Sequence, residues 1–205
     1  MKYLIAVPCM DMIHTTFMTS LLNLKRPGDG QIAVSQSSLV YDSRNRLAEM
    51  AVKGGYDRVM WFDSDMSFAP DTMERLIADM DTGLDFVCGL CFSRKEPIVP
   101  CIYKALLTLP TGETKAIPYE PYPEGKLFDI EGAGLACAMV STELIWRVFD
   151  RYGQPFSPVP GWGEDLSFCL RARDLGAKLW CDSRIEIGHI GQAVINADTY
   201  RQVRR

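Results

Sequence analysis

Short apolar runs alternate along the chain with segments whose apolar residues recur every three or four positions. Tyr3-Leu4-Ile5-Ala6-Val7 predicts a buried strand over 2–7, and Phe17, Met18, Leu21 and Leu22 predict a helix from His14 to Leu24. Pro27-Gly28-Asp29-Gly30 ends that helix, and Gln31 to Val34 predicts a second strand. Ser43 reads as the cap of a helix carrying Leu47, Met50 and Ala51, which stops at Gly54-Gly55. Val59-Met60-Trp61-Phe62 predicts a third strand, and Pro70 opens a helix with Met73, Leu76, Ile77 and Met80 on one side. Such alternation predicts an α/β fold with a mostly parallel central sheet flanked by helices, its ligands gathered at one sheet edge.

The second half is less regular. Residues 85–90 predict another strand, and 97–123, with its Thr111-Gly112-Glu113 turn, a hairpin or a substrate-side insertion. Residues 127–140 are strand-like, with Gly132-Ala133-Gly134 assigned to packing because it lacks the GxGxxG spacing of a dinucleotide site. A helix follows over 142–149, and then a loop over 155–160, which is either a rigid connector or a flap presenting Phe156 and Trp162. Leu166, Cys169, Leu170, Arg173 and Leu175 predict a helix ended by Gly176, and 178–181 a late strand.

Composition narrows the function classes. A chain of 205 residues that is 47% hydrophobic can bury a core, and one compact domain over 1–205 is expected. With 22 Lys and Arg against 26 Asp and Glu, the net charge of −4 does not indicate nucleic-acid binding. Arg201, Arg204 and Arg205 read as a solvated tail. No apolar stretch is long enough for a membrane span, and Pro8 and Asp11 interrupt the opening run, so a soluble, cytoplasmic protein is expected. Seven widely spaced cysteines do not form a disulfide framework, and Cys88 and Cys91 have no histidine near them to complete a zinc site.

The candidate chemistry is acidic. Asp63-Ser64-Asp65 follows the third predicted strand, where two carboxylates would repel each other unless a cation or a proton offset them. Mg²⁺ or Mn²⁺ bridging phosphates suits such oxygens, although Asp and Ser are also ordinary turn residues. Glu164 and Asp165 fall in a first helical turn, where they either favour the helix start or, in a cleft, let Asp165 accept a proton. His189, between Gly188 and Ile190-Gly191, could join Asp65 on a cation, while His14 reads as helix-start packing.

Taken in order, Ala6-Val7-Pro8, Ser43-Arg44-Asn45-Arg46, Asp63-Ser64-Asp65, Glu131 to Ala138, Gly163-Glu164-Asp165 and Gly188-His189 resemble a metal-dependent GT-A glycosyltransferase of the family-2-like group. The resemblance implies a nucleotide-binding half at about 1–95 and an acceptor-side half at about 96–195. It implies transfer of a sugar from a nucleotide-diphosphate-sugar donor to a hydroxyl acceptor, with inversion and with Mn²⁺ or Mg²⁺ on the diphosphate. The acceptor class, whether saccharide, lipid-linked or protein, stays open. By resemblance Pro8 lines the nucleoside pocket, Arg44 lies near the nucleotide or its phosphates, and Asp63 lies near ribose or metal. Asp65 and His189 hold the metal, and Asp165 is the base with Glu164 beside it. Cys9-Met10-Asp11-Met12 departs from the Asn-Glu string common in that group. A nucleotidyltransferase acting on a sugar phosphate and a noncatalytic nucleotide- or carbohydrate-binding domain are the alternatives.

Overall fold

The computed structural model describes residues 1–94 and 96–191. The expected arginine tail and the last residues of the expected second half lie outside the described residues. In chain order the elements begin with β1 (Lys2–Cys9), α1 (Thr15–Asn23), β2 (Asp29–Gln36), α2 (Val40–Lys53), β3 (Arg58–Phe62), β4 (Met66–Ser67), α3 (Thr72–Met80) and β5 (Phe86–Leu90). They continue with β6 (Ile102–Thr108), β7 (Thr114–Pro118), β8 (Leu127–Ile130), β9 (Gly132–Ala133), β10 (Cys137–Ser141), α4 (Thr142–Tyr152), α5 (Glu164–Asp174), β11 (Leu179–Glu186) and β12 (Gly188–His189).

A seven-stranded sheet in the order β2-β1-β3-β10-β5-β11-β8 forms the centre. Alternate residues of its strands feed two apolar layers. Leu4, Ala6, Val59 and Trp61 pack under α2, α4 and α5, whereas Tyr3, Ile5, Met60 and Phe62 pack under α1 and α3. These strands therefore read as continuous apolar runs because both faces are covered.

The mostly parallel sheet expected from the alternation is replaced by a mixed one. β1 pairs in parallel with β2 and β3, and β5 with β11, but β10 runs antiparallel between β3 and β5, and β8 antiparallel to β11. No crossover helix separates β9 from β10. The chain enters β10 with Cys137 opposite Phe62, the last residue of β3, and must run the other way.

The strand-like stretch 127–140 is likewise divided. Leu127–Ile130 joins the main sheet, Gly132–Ala133 pairs with β6 of the β6–β7 hairpin, and Cys137–Ser141 returns to the main sheet. α2 begins before Ser43, which is buried inside it with an unbonded hydroxyl. Its entry is organised by Ser37, whose Oγ accepts from the Leu39 amide and donates to Asp42.

The 155–160 segment is a connector and presents neither aromatic side chain to solvent. Phe156 is fully buried, stacks on Phe168 at 4.8 Å and meets Trp61 edge-on at 5.0 Å; Trp162 is buried as well. The amide of Phe156 donates to Asn45 Oδ1 at 2.9 Å, tying this connector to α2 beside Arg44. Phe156→Ala should therefore destabilise the fold by about 3–5 kcal/mol, as expected for an emptied aromatic core site, read as a lower urea midpoint with an unchanged slope.

Candidate active site

The ends of β1 and β3 open onto a cleft of about 360 Å³, lined by Pro8 to Met12, His14, Val40, Asp63 to Asp65, Arg94 and His189. It lies outside the carboxyl ends of parallel strands, where a ligand site is expected. The backbone stitches its wall together. Asp63 N–H bonds Ala136 O at 3.0 Å, His14 N–H bonds Ser64 O at 3.2 Å, and Ile190 N–H bonds Asp65 O at 2.8 Å. β12 pairs with β4 so that His189 stands opposite Met66, and Gly188 permits this approach because a Cβ there would lie 2.4 Å from Ser67 Oγ.

Behind the cleft, α2 delivers Arg44 into the interior, 1% exposed, with its guanidinium 5.6 Å from the Trp61 ring centroid. Arg44 Nη2 donates to Asp63 Oδ1 at 2.8 Å and lies 3.3 Å from Asp165 Oδ1, while Nε lies 3.5 Å from Glu164 Oε1. Burial works against the arginine's charge, but Asp63, Asp165 and Glu164 outweigh it and raise its pKa further. Burial also raises Asp63, against the pull of Arg44.

Asp165 is pushed up to about 7 by burial, Arg44 opposing and Glu164 and Asp63 adding to the rise. Three carboxylates around one buried cation leave excess negative charge, so the cluster retains a proton near neutrality. The Leu135 amide bonds the Asp165 carboxylate and fixes its direction.

In front, Asp65 and His189 form a second centre. His189 Nδ1 lies 2.9 Å from Phe92 O, and a carbonyl can only accept, so Nδ1 carries hydrogen. Nε2 is then the ring nitrogen turned toward Asp65 Oδ2, at 3.5 Å. A neutral ring would face Asp65 acceptor to acceptor, an arrangement that a cation or a proton between them satisfies. Arg94 Nη1 also donates to Asp65 Oδ2.

Pro8, Asp63, Asp65 and His189 thus line the cleft, whereas Arg44, expected near the phosphates, is sealed behind it against Asp63, Glu164 and Asp165. The expected metal ligands do not converge as a set. Asp63 bonds Arg44, and among the described residues no group of three or more His, Cys, Asp and Glu side chains is arranged to hold an ion. Asp65 and His189 fit a divalent cation only as a pair, one oxygen and one nitrogen, with its other positions left to phosphate oxygens. His14 lines the cleft at the N-cap position of α1 without a side-chain cap bond.

Two functional groups carried no readable signal. Arg94 sits in an irregular segment, and the Phe92 carbonyl is backbone. A wider hollow of about 530 Å³, lined by Tyr56, Asp57, Glu143 and Trp146, holds less chemistry because Asp57 Oδ2 already accepts the Lys2 amide at 2.6 Å.

Comparison with known structures defines the fold as broadly GT-A-like. The crystal structure of A197 from STIV matches with a TM-score of 0.68 at 18% identity, covering 94% of this chain and 87% of that one. The crystal structure of GalNAc-T7 with UDP, GalNAc and Mn2+ matches with a TM-score of 0.64 at 12% identity, covering 94% of this chain and 43% of that one. The chain therefore spans less than half of the GalNAc-T7 chain. No family model and no curated protein matches the sequence. Among the described residues no helix is long and apolar enough to cross a membrane.

The raised Asp165 predicts a pH signature. Its neutral form is favoured in the folded state, so its contribution to stability is present below its unfolded pKa of about 4 and lost as pH rises through about 7. The difference in unfolding free energy between wild type and Asp165→Asn should therefore shift against wild type across that window and be level above it, as measured by urea titration at several pH values.

Proposed function

We propose that this protein transfers a sugar from a nucleotide-diphosphate-sugar donor to a hydroxyl acceptor, with inversion at the anomeric carbon. The observation that carries the reading is two acidic centres joined by the Asp63-Ser64-Asp65 turn, Asp65 with His189 on the cleft wall and Asp165, outside that lining, sharing the buried Arg44 with Asp63. The GT-A-like fold supports it, and so does the presence of UDP and Mn2+ in the GalNAc-T7 structure.

Asp65 and His189 would hold Mn²⁺ or Mg²⁺, which when bound supplies positive charge to the leaving diphosphate. Pro8, Cys9 and Val40 line the same cleft, where they would face the nucleoside of a bound donor. Arg44 holds Asp63 and Asp165 in register, and Glu164 completes the ring of acids around it.

Asp165 takes the acceptor's proton as its oxygen bonds the anomeric carbon, and the bond to the diphosphate breaks with its electron pair leaving on the nucleotide. A carboxylate whose pKa lies near neutrality suits that transfer better than an ordinary one. The seven cysteines are free thiols, and a reducing, cytoplasmic setting accompanies the reading.

Asp165→Asn should lower transfer by about 10²- to 10⁴-fold with donor affinity largely kept, and the wild-type rate should climb as pH rises through about 7. Asp65→Ala should weaken Mn²⁺-dependent donor binding by about tenfold or more, since even an outer partner of a metal ligand is worth that much. Product kinetics and calorimetry test these; near-normal turnover in Asp165→Asn would remove it as the base, and release of pyrophosphate in place of a nucleoside diphosphate would indicate a nucleotidyltransferase.

A further inference from the structure

Arg94 stands where a divalent cation would be expected. It lies on the 91–101 segment between β5 and β6, whose base is closed by Cys101 N–H to Cys91 O at 2.9 Å, Ser93 N–H to Val99 O at 2.9 Å and the Phe92–Pro100 bridge. The same segment supplies the carbonyl that orients His189. Those bonds tie down the segment's base, while the Arg94 side chain reaches across the cleft wall to Asp65 and remains 46% exposed. Among the described residues the guanidinium bonds only through Nη1, to Asp65 Oδ2 and, at 3.5 Å, to Ile190 O. Nε and Nη2 therefore keep their donor capacity.

We propose that Arg94 is an exchangeable counter-ion: it neutralises Asp65 when the cleft holds no ligand and moves its guanidinium to the diphosphate when a metal-bound donor enters. The inference rests on the metal-dependent donor reading above and adds to it a diphosphate-binding residue.

The physical grounds are three. Asp65 Oδ2 faces both Arg94 Nη1 and His189 Nε2, so a divalent cation arriving between Asp65 and His189 competes with the guanidinium for that oxygen. A half-exposed ion pair is worth at most about 1 kcal/mol, weak enough to be exchanged. A freed guanidinium at the cleft edge has the planar donor fork that diphosphate oxygens accept in pairs.

The exchange predicts effects of opposite sign. In Arg94→Ala and Arg94→Gln, affinity for Mn²⁺ alone should rise by about two- to fivefold, because a competitor for Asp65 has gone. Affinity for inorganic pyrophosphate at saturating Mn²⁺ should fall by about tenfold, because a charge-assisted donor has gone.

Free Mn²⁺ can be followed by its electron paramagnetic resonance signal and pyrophosphate by calorimetry, with neither depending on turnover. Weakening of both ligands would mark Arg94 as a structural cover and overturn the exchange, as would unchanged Mn²⁺ affinity; either result leaves the proposed transfer reaction standing. Failure of wild type and both variants to take up Mn²⁺ would overturn the exchange together with the metal-dependent reading.

Discussion

The buried guanidinium of Arg44 is the constraint on which the site depends. Isolating such a charge from water costs several kcal/mol, and it is tolerable here because Asp63, Glu164 and Asp165 surround it and Trp61 offers its ring. These partners come from two places, Trp61 and Asp63 from β3 and the turn after it and Glu164 and Asp165 from the start of α5, and they meet Arg44 of α2 only when the fold is assembled. Loss of a buried partner leaves an uncompensated charge, on the order of 3–5 kcal/mol, so the cluster ties α2 and α5 to the end of β3. The same electrostatics make Asp165 a carboxylate that exchanges its proton near neutrality.

The Asp-Ser-Asp turn therefore divides its labour. Asp63 faces inward to Arg44, whereas Asp65 faces the cleft with His189 and Arg94. Their backbone keeps them apart, since Asp63 is tied to Ala136 and Asp65 to Ile190. One carboxylate is bound into the buried cluster and the other is paired at the cleft with an exposed guanidinium.

Much of this was legible in the chain. The apolar runs of β1, β3 and β5 and the helical spacing of α3 and α4 are strong periodic signals, because both sheet faces are buried and these helices carry one apolar stripe each. The direction of β10 was not, because an antiparallel entry depends on where the preceding chain ends in space, and 127–140 carries the same apolar character through all three of its strands. Ser43 illustrates a local signal overridden: it has the chemistry of a cap, but Ser37 and Asp42 start the helix earlier. At the site, the acidic residues and His189 stood out by position, yet the inward turn of Asp63 could not be read without the location of Arg44. Arg94 had no periodic or motif context, and the Phe92 carbonyl that sets the His189 tautomer has no side-chain signature at all.

Phosphorus NMR of the protein with Mg²⁺, a panel of nucleotide sugars and a mixture of saccharide and other hydroxyl acceptors tests the central claim most directly. The account predicts that at least one donor loses its diphosphate-ester resonances as free nucleoside diphosphate appears, with the conversion abolished by a chelator. Donor consumption that continues undiminished in the chelator, or that yields inorganic pyrophosphate, would contradict it.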